Sequence, residues 1–175
     1  MLDWQQSMGT KTLMSVDEYL HTTFDGADRE YLDGEVVERN MGNKSHGRLQ
    51  GWLVRLLGSY EERTGPYVIP EVRHRVQEAR YRIPDIAVFE GEPEGEVPST
   101  PPLLAIEILS PDDRIGYIVP KLEEYRVWGV RHIWLADPEN RKLFTYGETG
   151  LHEVKKLSLT EHEITLTHTG IFGAA

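Results

Sequence analysis

Two apolar runs, "YRIPDIAVF" (81–89) and "LLAIEIL" (103–109), decide most of what this chain can fold into. Consecutive side chains of a strand face opposite sides, and in both runs both sides are hydrophobic. Such strands must be covered on both faces, which calls for a central sheet with helices packed against it. Each run also holds one carboxylate, Asp85 in the first and Glu107 in the second. A carboxylate buried without a partner is strongly unfavourable, so each needs compensation. By alternation Asp85 shares a face with Ile83 and Ala87, and Glu107 with Ala105 and Leu109. If the two strands are neighbours, the acids converge. Their repulsion would leave one of them protonated. A divalent cation resolves this, because Mg²⁺ takes hard oxygen ligands, often one or two carboxylates plus water and a substrate phosphate. For either acid taken singly, a structural ion pair is the alternative.

The rest of the chain supplies the layers. Residues 1–12 show no pattern and read as a loose leader, with one domain over 13–175. "MSVDEYLH" reads as a short helix with Ser15 as N-cap and Glu18 in the capping-box position. "REYLDGEVVER" is a hairpin around Asp33-Gly34. The stretch from Asn43 is a long helix whose apolar stripe is Leu49, Leu53, Leu56, Leu57 and Tyr60, ending at Gly65. "PYVIPEVRHRVQ" reads as a strand or strand pair, and "EGEPEGEVPSTPP" as an acidic loop. A second long helix carries Pro120 near its first turn and Gly129 at its end. "HIWLADP" is a further strand. "KLFTYG", "HEVKKL" and "HEITLT" make a β-rich tail. Neither a repeat nor a linker divides the chain, so the expectation is a mixed central sheet flanked by helices, with that tail.

Charge and composition exclude several classes of function. The 175 residues carry 29 acids against 19 lysines and arginines, a net charge of −10. That argues against a broad basic face that coats nucleic acid, while leaving room for a local basic groove. There is no cysteine, hence no disulfide and no thiolate zinc site. No apolar run is long enough to span a membrane and no signal peptide is visible. A cytoplasmic protein is expected. The chain lacks a Gly-x-Ser-x-Gly elbow, a P-loop, a dinucleotide fingerprint and a His-Glu-x-x-His zinc motif.

Lys121 joins the two acids as a candidate. On the second long helix Ile118, Lys121, Leu122 and Tyr125 recur at spacings of three and four, so they share a face that is apolar except for the lysine. Lys121 either snorkels outward or points at the acidic pair, where it would hold a water or stabilise a phosphate. Tyr125, Trp128 and Trp134 read as core. "SPDD" at 110–113 reads as a turn or helix cap, with Asp112 as an extra metal ligand the alternative. Arg73, His74, Arg75, Arg80 and Arg82 form the one basic concentration. It reads as a solvated strand face or as an edge that contacts phosphates.

Pro84-Asp85 followed by Glu107-Ile108-Leu109 resembles the PD-(D/E)xK nuclease motif, with Leu109 where that motif has lysine. Lys121 is placed for the known variation in which the lysine moves to the following helix. More narrowly, "YLDGEVVE", the helix from His46, "RIPDIAVF", "PPLLAIEILSPDDR" and "KLEEYRVWGVRHIWLADP" resemble, in that order, the Uma-two family of restriction-endonuclease-like proteins. The resemblance covers roughly residues 14 to 146. It implies a restriction-endonuclease-like core and a Mg²⁺- or Mn²⁺-dependent endonuclease acting on DNA, with a homodimer plausible. It also implies metal ligation by Asp85 and Glu107, with Lys121 as the relocated lysine. Glu35 would be a third carboxylate and His46 the histidine that opens the long helix. From the residues alone, His46 lies on the inward stripe and is equally a core histidine, and Glu35 is equally a solvated strand residue. A nuclease fold that binds nucleic acid or a partner without turnover is the alternative reading of the chain.

Overall fold

The computed structural model describes residues 13–40, 42–61, 65–113 and 115–173. The leader expected over 1–12 lies outside them. In chain order the elements are α1 (Val16–His21), β1 (Glu30–Leu32), β2 (Glu35–Val37), α2 (Lys44–Gly58), β3 (Tyr67–Pro70) and β4 (His74–Gln77). There follow β5 (Arg80–Arg82), β6 (Ile86–Phe89), β7 (Leu104–Ile108), α3 (Ile115–Trp128), β8 (His132–Asp137) and β9 (Lys142–Gly147). The chain ends through β10 (Gly150–Val154), β11 (Lys156–Leu159), β12 (Ile164–Thr167) and α4 (His168–Phe172).

The central sheet runs β10-β9-β8-β7-β6-β3, with β7 and β8 parallel and the other pairs antiparallel. It is a mixed sheet covered on both faces, as its two apolar strands demand. Alternation along β7 sends Leu104, Ile106 and Ile108 to the α2 side, where Leu49, Leu53 and Leu57 meet them. Ala105 goes to the α3 side, with Ile118, Leu122 and Tyr125. Each fully buried leucine contributes about 1.5–3 kcal/mol through apolar burial. A second sheet, β2-β1-β5-β4, holds α1 through the Tyr19, Tyr31 and Tyr81 cluster. The expected capping box of α1 is present, with the Ser15 hydroxyl accepting from the Glu18 N–H and the Glu18 carboxylate accepting from the Ser15 N–H.

Three details differ from the sequence expectation. The run Tyr81–Phe89 is not one strand. β5 belongs to the small sheet and β6 to the central one, with Ile83, Pro84 and Asp85 forming the step between them. Proline has no N–H to give a ladder, so it is the natural place for that break. α2 closes at Gly58, capped by Ser59, rather than at Gly65. Pro120 falls in the second turn of α3 rather than the first. The expected β-rich tail is present and joins the main body, with β9 and β10 extending the central sheet. β11, β12 and α4 place Leu157, Leu159, Ile164, Leu166 and Ile171 in the α2-side core.

Among the described residues no helix is long and apolar enough to cross a membrane.

Candidate active site

The antiparallel register of β6 and β7 pairs Ile86 with Ile106 and Ala87 with Ala105. Continued one step, it sets Asp85 opposite Glu107 at the end of the sheet. Both are buried, at 3% and 4% exposed. The two acids read from the sequence are therefore brought together. The compensation each receives, however, comes from different neighbours.

Asp85 is held from three sides. Its Oδ2 accepts from the Ile108 N–H at 2.7 Å and lies 3.2 Å from His46 Nε2. Its Oδ1 accepts from Arg39 Nη2 at 2.8 Å. His46 reaches it because Asn43 caps α2 and turns the first helical residues of the stripe inward. Gln50, one turn further on, donates to the Asp85 backbone carbonyl at 3.0 Å. Burial works against the Asp85 charge, but His46, Lys121 and Arg39 outweigh it and keep the carboxyl below its usual range. Burial also opposes protonation of His46, and the hydrogen bond and charge of Asp85 outweigh that in turn, raising its pKa.

Glu107 faces α3, because it shares the Ala105 side of β7. Lys121 Nζ lies 2.9 Å from its carboxylate, and the Tyr125 hydroxyl donates to Oε1 at 2.7 Å. Lys121 is 5% exposed and does not snorkel. It is shared with a third acid, Glu30, whose Oε1 is 2.8 Å away. Glu30 also pairs with Arg82 at 2.6 Å and accepts from the Ile83 N–H. Burial would raise Glu30, but Lys121 and Arg82 bring it down to about 2. Lys121 is shared between the two buried acids, and Glu30 alone also has Arg82. Burial, only partly offset by Lys121 and reinforced by Asp85 and Glu30, pushes Glu107 up to about 7.

The other sequence candidates divide. Glu35 sits half-buried on β2 and is not among the residues that line the cleft; the hairpin carboxylate that lines it is Glu30. Asp112 is exposed, while Asp113 accepts from the Ser110 N–H and from Asn40, so "SPDD" is a turn as read. Three of the arginines in the basic concentration are tied up internally, while Arg75 is exposed and in no ion pair among the described residues. Arg73 is tied to Asp28 and to carbonyls at the end of α1, Arg80 to Asp33 and Glu124, and Arg82 to Glu30 and Glu124. His74 is buried against Phe89 and Trp128, and burial brings its pKa down to about 4.

Glu30, Arg39 and Asn40 were missed from sequence. Charge balance gave no signal for them, since the inward Lys121 and Arg82 already match Asp85 and Glu107 in number.

The residues fit a hard divalent cation in kind. Four acids, Glu30, Asp85, Glu107 (its pKa near 7) and Asp113, line a cleft of about 40 Å³, room for only a few water-sized species. Among the described residues no group of three or more His, Asp or Glu side chains is arranged to hold a metal by itself. A divalent ion would have Asp85 and Glu107 as its carboxylates and would need water or phosphate to complete its shell.

Glu107 makes a pH prediction. Its folded pKa is raised, so its contribution to stability is fully present below the unfolded value of 4.5 and is lost as pH rises through about 7. His74 acts oppositely, losing its contribution as pH falls from 6.5 through about 4. A difference between two proteins isolates Glu107. Glu107→Gln should gain stability relative to wild type as urea denaturation is moved from pH 5 to pH 8 in chelator. A constant difference would mean that Glu107 titrates normally.

Comparison with known proteins gives a family and a fold. A family model described as "Uma2: Putative restriction endonuclease" matches residues 16–171. Among solved structures, the chain resembles a putative nuclease belonging to DUF820 from Anabaena variabilis ATCC 29413, with a TM-score of 0.78 and 21% identity, over 91% of this chain and 97% of that one. That likeness is one of fold. No curated protein matches.

Proposed function

Because the chain belongs to the Uma2 family of putative restriction endonucleases, we propose that it is a metal-dependent endonuclease that hydrolyses phosphodiester bonds in DNA. The observation that carries this reading is the register-paired Asp85 and Glu107 with Lys121 set against them. Asp85 and Glu107 would hold Mg²⁺ or Mn²⁺. What such an ion supplies is a more acidic water and positive charge at the scissile phosphate.

The chain's own residues do the rest. Lys121, fixed by Glu30 and Glu107, presents a permanent positive charge to the charge developing on phosphorus. Leu109 packs against the α3-side core, so the position of the motif's usual lysine is committed to packing and the amine comes from α3. His46 and the Ile108 N–H fix the orientation of the Asp85 carboxylate. Arg39 stands beside Asp85, where its guanidinium can take a phosphate oxygen. In this reading Glu30 plays the part that family resemblance gives to Glu35. A homodimer would present two such sites to the two strands of a duplex.

Supercoiled plasmid tests the proposal. Purified protein should nick it with Mn²⁺ or Mg²⁺ and leave it intact in chelator. A second reading is a nuclease fold that binds nucleic acid without turnover, favoured by the way Arg39 and His46 already neutralise Asp85. Salt-dependent binding with no cutting of DNA or RNA under any divalent ion would establish that reading and overturn the first.

A further inference from the structure

A groove of about 850 Å³, much roomier than the acidic cleft, runs along the outer face of α2 and is walled on the far side by α4. Ser45, Arg48, Trp52 and Arg55 line it at spacings of three and four, so they form one stripe of the helix. Three features separate this groove from ordinary surface.

The first is charge. In a chain with net charge −10, none of the residues lining the groove is acidic. Among the described residues Arg48 and Arg55, like Arg75 and Arg141, are in no ion pair, whereas Arg73, Arg80 and Arg82 are each held by carboxylates. Lys44 opens the helix, whose first turn carries no acid, so the positive end of its dipole is unopposed. The second feature is Trp52. It is 38% exposed, its indole N–H donates to the Gly170 carbonyl at 3.0 Å, and Arg55 lies over its ring. An exposed indole is thus held in one orientation. The third is the groove floor. Gly47 and Gly51 lie in the helix interior, where glycine is unfavourable by about 1 kcal/mol relative to alanine. A Cβ at either would meet nothing within 4 Å. Packing does not require these glycines; what they do is leave the groove open.

The groove also has a position. Ser45 and Gly47 flank His46, which faces the cleft. Pro138, at the other wall, follows β8, and β8 runs parallel to β7 with Ala136 beside Ile108. Groove and cleft therefore open at the same end of the sheet, where ligands of open α/β sheets bind.

We infer that this groove binds a single-stranded segment of nucleic acid, with phosphates on Arg48 and Arg55 and an unpaired base stacked on Trp52, and delivers the strand to the cleft beside His46. The inference rests on the nuclease reading for its destination but not for its chemistry. Cationic side chains take the backbone, and a fixed aromatic face takes any base.

The test is fluorescence anisotropy with a labelled DNA 20-mer in chelator, so that cutting plays no part. Trp52→Ala should weaken single-strand binding about five- to a hundredfold, and Trp52→Phe, which keeps a ring, should restore most of it. Arg48→Ala with Arg55→Ala should flatten the plot of log affinity against log salt by about 1.4, the value for two phosphates. Arg131→Ala, on an exposed arginine outside the groove, should change neither. Circular dichroism checks that the exposed substitutions leave the fold intact. If the groove variants bind like wild type, or if wild type does not bind the strand, the inference falls. If wild type nicks plasmid while the groove variants bind unchanged, only the groove assignment fails. Binding lost in the variants, with no nicking by wild type, would sustain the groove and sink the nuclease.

Discussion

Replacing Lys121 with methionine should destabilise the protein by about 3–5 kcal/mol at pH 8, the usual penalty for stranding a buried charge partner. Methionine keeps the unbranched stem, so packing against α3 changes little. What changes is that Glu107 loses its one cation and Glu30 keeps only Arg82. The penalty should shrink at low pH. Without the lysine both acids have their folded pKa values moved upward, and Glu107 starts from about 7. An acid whose folded pKa is raised has its contribution intact at low pH and loses it as pH rises through that value. Urea titrations at pH 5 and pH 8 read this directly, and equal deficits at the two would show that Glu107 does not carry the burden. Adding Glu107→Gln to the methionine variant should recover much of the loss, because removing both partners costs less than orphaning one. That recovery separates the ion pair from any effect of the methionine on packing.

The residues legible in the sequence were those that break an apolar pattern. Asp85, Glu107 and Lys121 are polar intruders on strands or helix faces that are otherwise buried, and all three meet in the cleft. Glu30 and Arg39 left no such trace. Glu30 opens a strand of three residues, too short for alternation to say which way it faces, and Arg39 lies beyond the end of β2 in no regular element. The hairpin's orientation is set by pairing of β1 with β5, a contact 50 residues apart in sequence (Tyr31 with Tyr81) that local pattern does not encode. The break at Pro84 was visible as a proline, but the apolar run around it read as continuous because both pieces are buried. The basic segment misled for a related reason. Arg73, Arg80 and Arg82 look like a surface until their acidic partners, each at least 42 residues distant, are brought beside them. Covered strands and helix stripes are local facts, whereas ion-pair partnership across sheets is not.

Asp85 distinguishes a metal site from a structural knot, and two substitutions do so together. Asp85→Ala removes the acceptor for the Ile108 N–H and the partner of Arg39 and His46. A buried donor left unsatisfied is worth about 1–3 kcal/mol. Arg39 retains Glu71, so the alanine variant should lose stability within that range rather than above it. Asp85→Asn keeps an oxygen for the Ile108 N–H and should lose less. Activity should not follow this order. Both variants lack the anionic oxygen that a divalent cation needs, so both should lose Mn²⁺-dependent nicking on the order of a thousandfold and lose the heat of Mn²⁺ binding in calorimetry. A role confined to structure predicts instead that activity follows the stability order, with asparagine near wild type and alanine impaired only as far as it unfolds. Retention of Mn²⁺ binding and cutting by the asparagine variant would leave Asp85 compensated by Arg39 and His46 alone, and the cation would have to be sought elsewhere in the chain.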